Sequence, residues 1–286
     1  MNQVSKRIKP NYLVIGAGKS GTTSLCELLD QHPRVFMSNP KELRFFSHDK
    51  NFQRGWDWYE SFFLGAERAL AIGEGSVDYT NRNAFPKTAE RIAKSIPKAK
   101  LIYIVRHPLE RIKSKWRMEA CLNPGFPEFN QAVRSEFSPP DTDLSKYWFQ
   151  ISVYRDYFPD DQILVLFFED FKSDPEGEIR RCFKFLGVDT EVELFEPDRP
   201  RNTMAYQRAY GYPLYFLRHL PISNLILDIM PNSWRTRIRN SPLLTRDVVS
   251  IPEWDLDTRK WVFDQLAEDI RMFLKFYGKP YDYWSF

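Results

Sequence analysis

"YLVIGAGKSGTTSLCELL", residues Tyr12 to Leu29, carries the reading on which the fold depends. Tyr12 to Ile15 make a short unbroken apolar run, the pattern of a parallel strand buried on both faces. A glycine-rich turn follows, and "SGTTSLCELLDQH" then places Leu25, Leu28 and Leu29 on one face of a helix. Strand, glycine turn and helix in that order suit a phosphate-like anion. The helix N-terminus offers unpaired N–H groups and the positive end of its dipole.

The letters do not spell an ATP-binding loop. G-x-x-x-x-G-K-[ST] would put its first glycine at Leu13, inside the strand. Gly16, Gly18 and Gly21 still let the backbone turn with its N–H groups inward. Lys19 adds a positive charge, and Thr22, Thr23 and Ser24 add hydroxyls at the helix start. Two readings fit: an anion cradle, or an ordinary glycine turn with a threonine cap.

Outward from this stretch, strands and helices alternate. "LAIGEGS", "AKLIYIVR" and "DQILVLFFED" read as strands. "FPKTAERIAKSIP", "HPLERIKSKWRMEA" and "SKYWFQISVYRDYFP" read as helices. "SDPEGEIRRCFKFLGV" is a helix capped by Ser173 or Asp174 and stopped at Gly187, and a long C-terminal helix stops at Gly278. This alternation predicts an α/β fold with a mostly parallel central sheet flanked by helices. The expected organisation is one domain over residues 1–286. A tail covers 1–10, and an irregular substrate- or donor-covering segment runs from about 197 to 252.

The 286 residues include 41 basic and 38 acidic side chains, a net charge of +3, which lacks the concentrated stripe of a nucleic-acid binder. Three scattered cysteines suit neither a disulfide framework nor a zinc knuckle and read as reduced core residues. No stretch has the pattern of an export signal or a membrane span, so a soluble cytoplasmic chain without stable membrane insertion is expected. The composition sets no oligomeric state.

A second anion-binding candidate is "IYIVRHPLERIKSKW". Arg106 ends a buried strand, at the sheet edge where α/β folds bind ligands, and Ser114 follows on the next helix. A guanidinium fork and a hydroxyl suit a terminal phosphate; a simple arginine–carboxylate pair is the plainer alternative. Arg111, Lys113, Lys115 and Arg117 fall at alternate positions on that helix, do not form one stripe, and read as a solvated basic helix.

Together "GAGKSGTTSL", "IVRHPLERIKS" and "NPKELRFFS" resemble, in order, three elements of the sulfotransferases that use 3'-phosphoadenosine 5'-phosphosulfate (PAPS). These are the 5'-phosphosulfate loop, the 3'-phosphate element R-[DH]-P-x-x-R-x-x-S, and the segment bearing the base in the glycan-type branch. "GWDWYESFF", "FFEDFKSDPE" and "KFYGKPYDYW" are weaker echoes. The resemblance covers about residues 11 to 187 and the last thirty. It implies a P-loop-NTPase-like sulfotransferase fold and PAPS as donor, with adenosine 3',5'-bisphosphate (PAP) as product and no metal required. The donor would be held by Lys19, Ser20, Gly21, Thr22, Thr23, Ser24, Arg106 and Ser114. Glu42 would be the general base, with Lys19 stabilising the leaving oxygen. Lys41 would either favour the ionised form of Glu42, touch the sulfonate, or be solvated. His48 is the second choice as base. The expected acceptor is a hydroxyl or amine of a glycan or small-molecule natural product.

Heparan-modifying members carry E-K-[ST]-x-x-Y, whereas this chain reads "EGSVDYT", with Gly75 in the lysine's place. That departure weakens a heparan-like acceptor and leaves donor binding untouched. The C-terminal donor loop is expected around "RNTMAYQRAYGY", with Arg201 or Arg208 near phosphate and Tyr206 near adenine. Trp56, Trp58 and Tyr59 would either wall a pocket or fill the core. Two alternatives stand beside this reading. One is a P-loop ATP-dependent kinase using Glu169 or Asp170 for magnesium; the other is a catalytically inactive PAPS-fold binding protein.

Overall fold

Five strands form a parallel sheet: β1 (Tyr12–Gly16), β2 (Val35–Met37), β3 (Ala71–Gly75), β4 (Lys100–Val105) and β5 (Ile163–Phe167). Their spatial order is β2-β3-β1-β4-β5, every neighbouring pair parallel. β1 is central. The chain fills one side of it with β2 and β3 and then crosses to β4 and β5. The switch point, where open α/β sheets bind ligands, therefore lies at the carboxyl ends of β1 and β4. The computed structural model describes residues 8–135, 142–197, 208–219, 237–238, 241 and 243–285.

The helices are α1 (Thr22–Leu29), α2 (Asp49–Phe52), α3 (Gly55–Glu60), α4 (Thr88–Ser95), α5 (Pro108–Leu122) and α6 (Phe129–Arg134). After them come α7 (Tyr147–Arg155), α8 (Phe168–Ser173), α9 (Pro175–Leu186), α10 (Tyr212–His219) and α11 (Leu256–Phe276). The chain divides into two compact units. The first comprises residues 1–108, 144–200 and 266–286; the second comprises 109–143 and 201–265.

The sheet belongs to the first unit and is covered on both faces, as period-two alternation of its apolar strands demands. On one face Tyr12, Val14, Ile102, Ile104 and Leu166 pack with Leu25, Leu28 and Leu29 of α1 and with Ile179, Cys182 and Phe183 of α9. On the other, Tyr103 meets Tyr147 edge-on at 6.1 Å, and Phe167 meets Phe273 at 5.9 Å. Of the two expected caps for α9, Asp174 serves: its carboxylate accepts the Gly177 N–H at 2.9 Å. Cys26, Cys121 and Cys182 are free and buried, and burial pushes the Cys26 thiol up to about 12.

In the second unit α5 is not the solvated basic helix expected. Arg111 is buried, and Lys113 lies 3.7 Å from both Glu110 and Glu253. Lys115 pairs with Glu119, and Arg117 Nε donates to the Val249 carbonyl at 2.8 Å. Glu110 and Glu119 are partners within one turn of the same helix, whereas Glu253 and the Val249 carbonyl come from far along the chain, where no local pattern reveals them. Within the irregular segment the described residues form α10 and a two-stranded antiparallel pair, β6 (Ala209–Tyr210) with β7 (Thr245–Arg246). No helix among the described residues is long and apolar enough to cross a membrane.

Candidate active site

The glycine turn leaves β1 at the switch point. Ala17 N–H donates to the Ile104 carbonyl of β4 at 2.6 Å, tying the turn to the neighbouring strand. Lys19 takes a left-handed backbone (φ 68°), unusual for a residue with a Cβ and a mark of segments held for function. Gly21 is the N-cap of α1 with φ 89°; lacking a side chain, it leaves the first turn of that helix uncapped from its own position. A Cβ there would stand 2.8 Å from the Phe168 ring, so only glycine allows this close approach. Ser20 is fully buried, and its hydroxyl has no hydrogen-bond partner among the described residues. An orphaned buried hydroxyl costs about 1–3 kcal/mol. A ligand oxygen at the turn would satisfy it.

Arg106, at the end of β4, reaches the same turn. Its Nη1 lies 3.5 Å from the Lys19 carbonyl, and its guanidinium sits over the Phe168 ring at 4.9 Å. Tyr147 OH donates to the Arg106 carbonyl at 2.6 Å and fixes the backbone there. The structure thus brings Arg106 to the glycine turn. Ser114 lies in the second unit, half-buried on α5, and its phosphate contact stays an expectation from the sequence.

Glu42 follows β2 on a loop that bonds to the end of β3 and the residues after it. Both Glu42 (φ 69°) and Arg44 (φ 53°) are left-handed. Glu42 N–H donates to the Gly75 carbonyl at 2.9 Å, and its Oε2 accepts the Val77 N–H at 3.0 Å. Lys41 Nζ lies 2.7 Å from Glu42 Oε1 and donates to Thr22 Oγ1 at 3.3 Å. One ammonium therefore joins the cradle's helix to the Glu42 carboxylate, and Lys41 is not a solvated lysine: its side chain is 22% exposed. Glu42 is half-buried, its side chain 26% exposed.

A family model described as a sulfotransferase domain matches residues 9–206. The chain belongs to the sulfotransferase family. It is 32% identical over 189 residues to the human heparan sulfate glucosamine 3-O-sulfotransferase 6, covering 64% of this chain and 54% of that protein. It is 29% identical over 214 residues to the mouse bifunctional heparan sulfate N-deacetylase/N-sulfotransferase 4, covering 66% of this chain and 24% of the relative. The chain thus spans between about a quarter and about half of the length of these relatives. The sulfotransferase from Alicyclobacillus acidocaldarius superposes with a TM-score of 0.68 at 24% identity, over 97% of this chain and 99% of that one, and shares the fold.

The remaining candidates have the following partners. His32 is buried between the Asp189 carbonyl (3.0 Å) and the Arg34 N–H (2.9 Å). His48 Nδ1 is 3.0 Å from Ser47 Oγ, with Nε2 3.9 Å from Asp78. Glu169 and Asp170, the acids a kinase would use, hold the C-terminal segment instead. Glu169 accepts His107 N–H at 2.8 Å and Trp284 Nε1 at 3.1 Å; Asp170 accepts Tyr283 OH at 2.7 Å and Lys279 Nζ at 2.5 Å. The two weak echoes "FFEDFKSDPE" and "KFYGKPYDYW" are therefore two halves of one clasp. Tyr59 packs in the core, stacked on Phe45 at 4.1 Å, and half-buried Trp56 meets that ring edge-on at 5.5 Å. In the second unit Arg208 Nε donates to Thr245 Oγ1 at 2.6 Å. Arg201 and Tyr206 lie outside the described residues.

Sequence reasoning missed Glu74, Ser76 and Tyr79. Glu74 is fully buried, with Tyr59 OH at 3.2 Å, Ser76 Oγ at 2.7 Å and a short bond from Tyr79 OH. Burial pushes its carboxyl up to about 7, against the pull of those hydroxyls. Their spacing in "EGSVDYT" was the available signal.

Proposed function

We propose that this chain transfers a sulfuryl group from PAPS to a hydroxyl or amine of a glycan or small-molecule natural product, with Glu42 as general base. The observation that carries the reading is the Lys41 bridge, which joins Thr22 of the anion cradle to the Glu42 carboxylate at 3.3 and 2.7 Å. Donor and acceptor must meet between two such groups for in-line transfer.

When bound, PAPS supplies an activated sulfuryl group on a good leaving phosphate. Lys19, the orphaned hydroxyl of Ser20, and the Gly21, Thr22, Thr23 and Ser24 segment hold its 5' end. Arg106 holds the 3'-phosphate as a guanidinium fork. Glu42, oriented by Val77 N–H and Lys41, takes the acceptor's proton as the new bond forms. Lys19 meets the charge that develops on the leaving oxygen, and Lys41 faces the transferring group. Both curated relatives named above act on heparan sulfate by their names, which supports a glycan among the acceptors; Gly75, standing where the resemblance expects a lysine, argues for a different sugar or a smaller acceptor.

Incubation with radiolabelled PAPS and a panel of desulfated oligosaccharides, glycolipids and phenolic or alcoholic natural products tests the reading. Label transfer to one class supports it. Retention of all label on PAPS across the panel, with PAP still bound, would favour a binding protein.

A further inference from the structure

Glu74 is the penultimate residue of β3 and the centre of a buried polar network. Its Oε2 receives Ser76 Oγ at 2.7 Å, and its Oε1 receives the hydroxyls of Tyr59 and Tyr79. Burying a carboxyl is costly even when it is hydrogen-bonded, so a network of this kind invites the question of what it holds.

Two of the three hydroxyls act as relays. Ser76 Oγ accepts the Arg44 N–H at 2.9 Å, and Tyr79 OH accepts the Phe46 N–H at 3.4 Å. The third, Tyr59, stacks its ring on Phe45 at 4.1 Å, with 8° between the planes. One carboxyl thus grips residues 44, 45 and 46 in succession, each through a different intermediary. Two residues before Arg44 stands Glu42, and both take a left-handed backbone. The far side of Tyr79 is anchored as well: Tyr154 OH donates to its carbonyl at 2.6 Å.

We infer that Glu74 is a positioning residue for the base: acting through Ser76, Tyr79 and Tyr59, it fixes the left-handed segment that aims the Glu42 carboxylate. The inference rests on the reading of Glu42 as base. Left-handed backbone at residues with side chains relaxes unless its surroundings over-determine it, and an apolar filler at position 74 would leave the hydroxyls of Ser76 and Tyr79 free to turn away from the loop. A neutral isostere preserves the arrangement. The amide oxygen of a glutamine at 74 accepts both tyrosine hydroxyls, while its NH₂ donates to Ser76 Oγ, which keeps a second lone pair for Arg44 N–H.

The experiment compares Ser76→Ala, Tyr79→Phe, Glu74→Ala and Glu74→Gln with the parent protein. It measures PAPS turnover on the acceptor class found with radiolabelled donor, PAP affinity by calorimetry, and hydrogen exchange at Arg44 and Phe46. Ser76→Ala should speed exchange at Arg44, and Tyr79→Phe at Phe46. Each should lower kcat about ten- to a hundredfold, the cost of a misplaced catalytic group, with PAP affinity kept within about threefold. Glu74→Gln should restore most of the turnover lost in Glu74→Ala. Unchanged kcat in Ser76→Ala and Tyr79→Phe would overturn the inference, as would equal losses of kcat and PAP affinity. If Glu42→Gln also turns over normally, the assignment of Glu42 itself fails. If Glu42→Gln is impaired while the relay variants are not, only the role of Glu74 falls.

Discussion

A Cβ added at Gly75 would stand 3.1 Å from Lys41 Cε and 2.9 Å from Cys26 Sγ. Glycine at the end of β3 therefore leaves open the path by which Lys41 reaches Thr22 and Glu42. A larger side chain at 75 must push Lys41 aside, so Gly75→Val should lower turnover about as much as Lys41→Met, roughly a hundredfold for loss of one stabilising cation. Arg106 is remote from this change in the sequence of contacts, and PAP binding should persist in both variants. Steady-state turnover and calorimetry with PAP check this; a Lys41→Met protein as active as its parent would show that Lys41 has no part in transfer.

Arg106 meets the cradle at the Lys19 carbonyl, with Phe168 under its guanidinium and Gly21 against the same ring. Arg106→Ala should weaken PAP binding by about 1.5–3 kcal/mol, the worth of a charge-assisted hydrogen bond, while 5'-AMP, lacking the second phosphate, loses much less. Calorimetric titration of both nucleotides checks the split. Equal losses would remove Arg106 from the 3'-phosphate site.

The buried carboxyls predict an unusual pH trend. Burial pushes Glu74 up to about 7 and Asp269, which accepts the N–H groups of Trp148 and Phe149, up to about 6. The folded state then holds a proton that the unfolded chain has already released. The corresponding stability is fully present below the ordinary carboxylate range, falls as pH rises toward about 7 for Glu74, and levels off above it. Glu74→Gln removes the larger of the two contributions. Its melting temperature relative to the parent should therefore rise between pH 5 and pH 8; a constant difference would mean that Glu74 is ionised throughout.

Asp170 separates a structural acid from a metal-binding one. Asp170→Asn weakens the bonds from Lys279 and Tyr283 and should lower the melting temperature, at a cost of about 1.5–3 kcal/mol, while leaving turnover in excess EDTA equal to turnover in magnesium. Activity restored only by magnesium in the parent protein would point to the kinase chemistry instead.

Much of this was legible in the chain. The junction at Tyr12–Leu29 could be read because its signals are local: a buried run, glycines where the backbone must turn, and hydroxyls at a helix start. Arg106 was legible for the same reason, at the end of an apolar strand. β2 was not, since Val35–Met37 is only three residues long and begins two residues after Pro33. Glu169 and Asp170 carry the same letters whether they bind a metal or a tail, and only the fold brings Lys279, Tyr283 and Trp284 to them. The grip of Glu74 on residues 44 to 46 joins positions about thirty apart through side chains and hydroxyls, and no spacing rule along one element reports it. Gly75 was noticed as a departure, but that it makes room for Lys41 is a fact of packing.

The central claim is that Glu42 takes the acceptor's proton. Turnover of PAPS by Glu42→Gln, measured beside PAP affinity on the same preparation, tests it most directly, because glutamine keeps size and the Val77 hydrogen bond but removes the base. The account predicts a fall of about 10²–10⁴-fold in kcat with PAP affinity and melting temperature nearly unchanged. Near-normal turnover on the true acceptor would contradict it and move attention to His48.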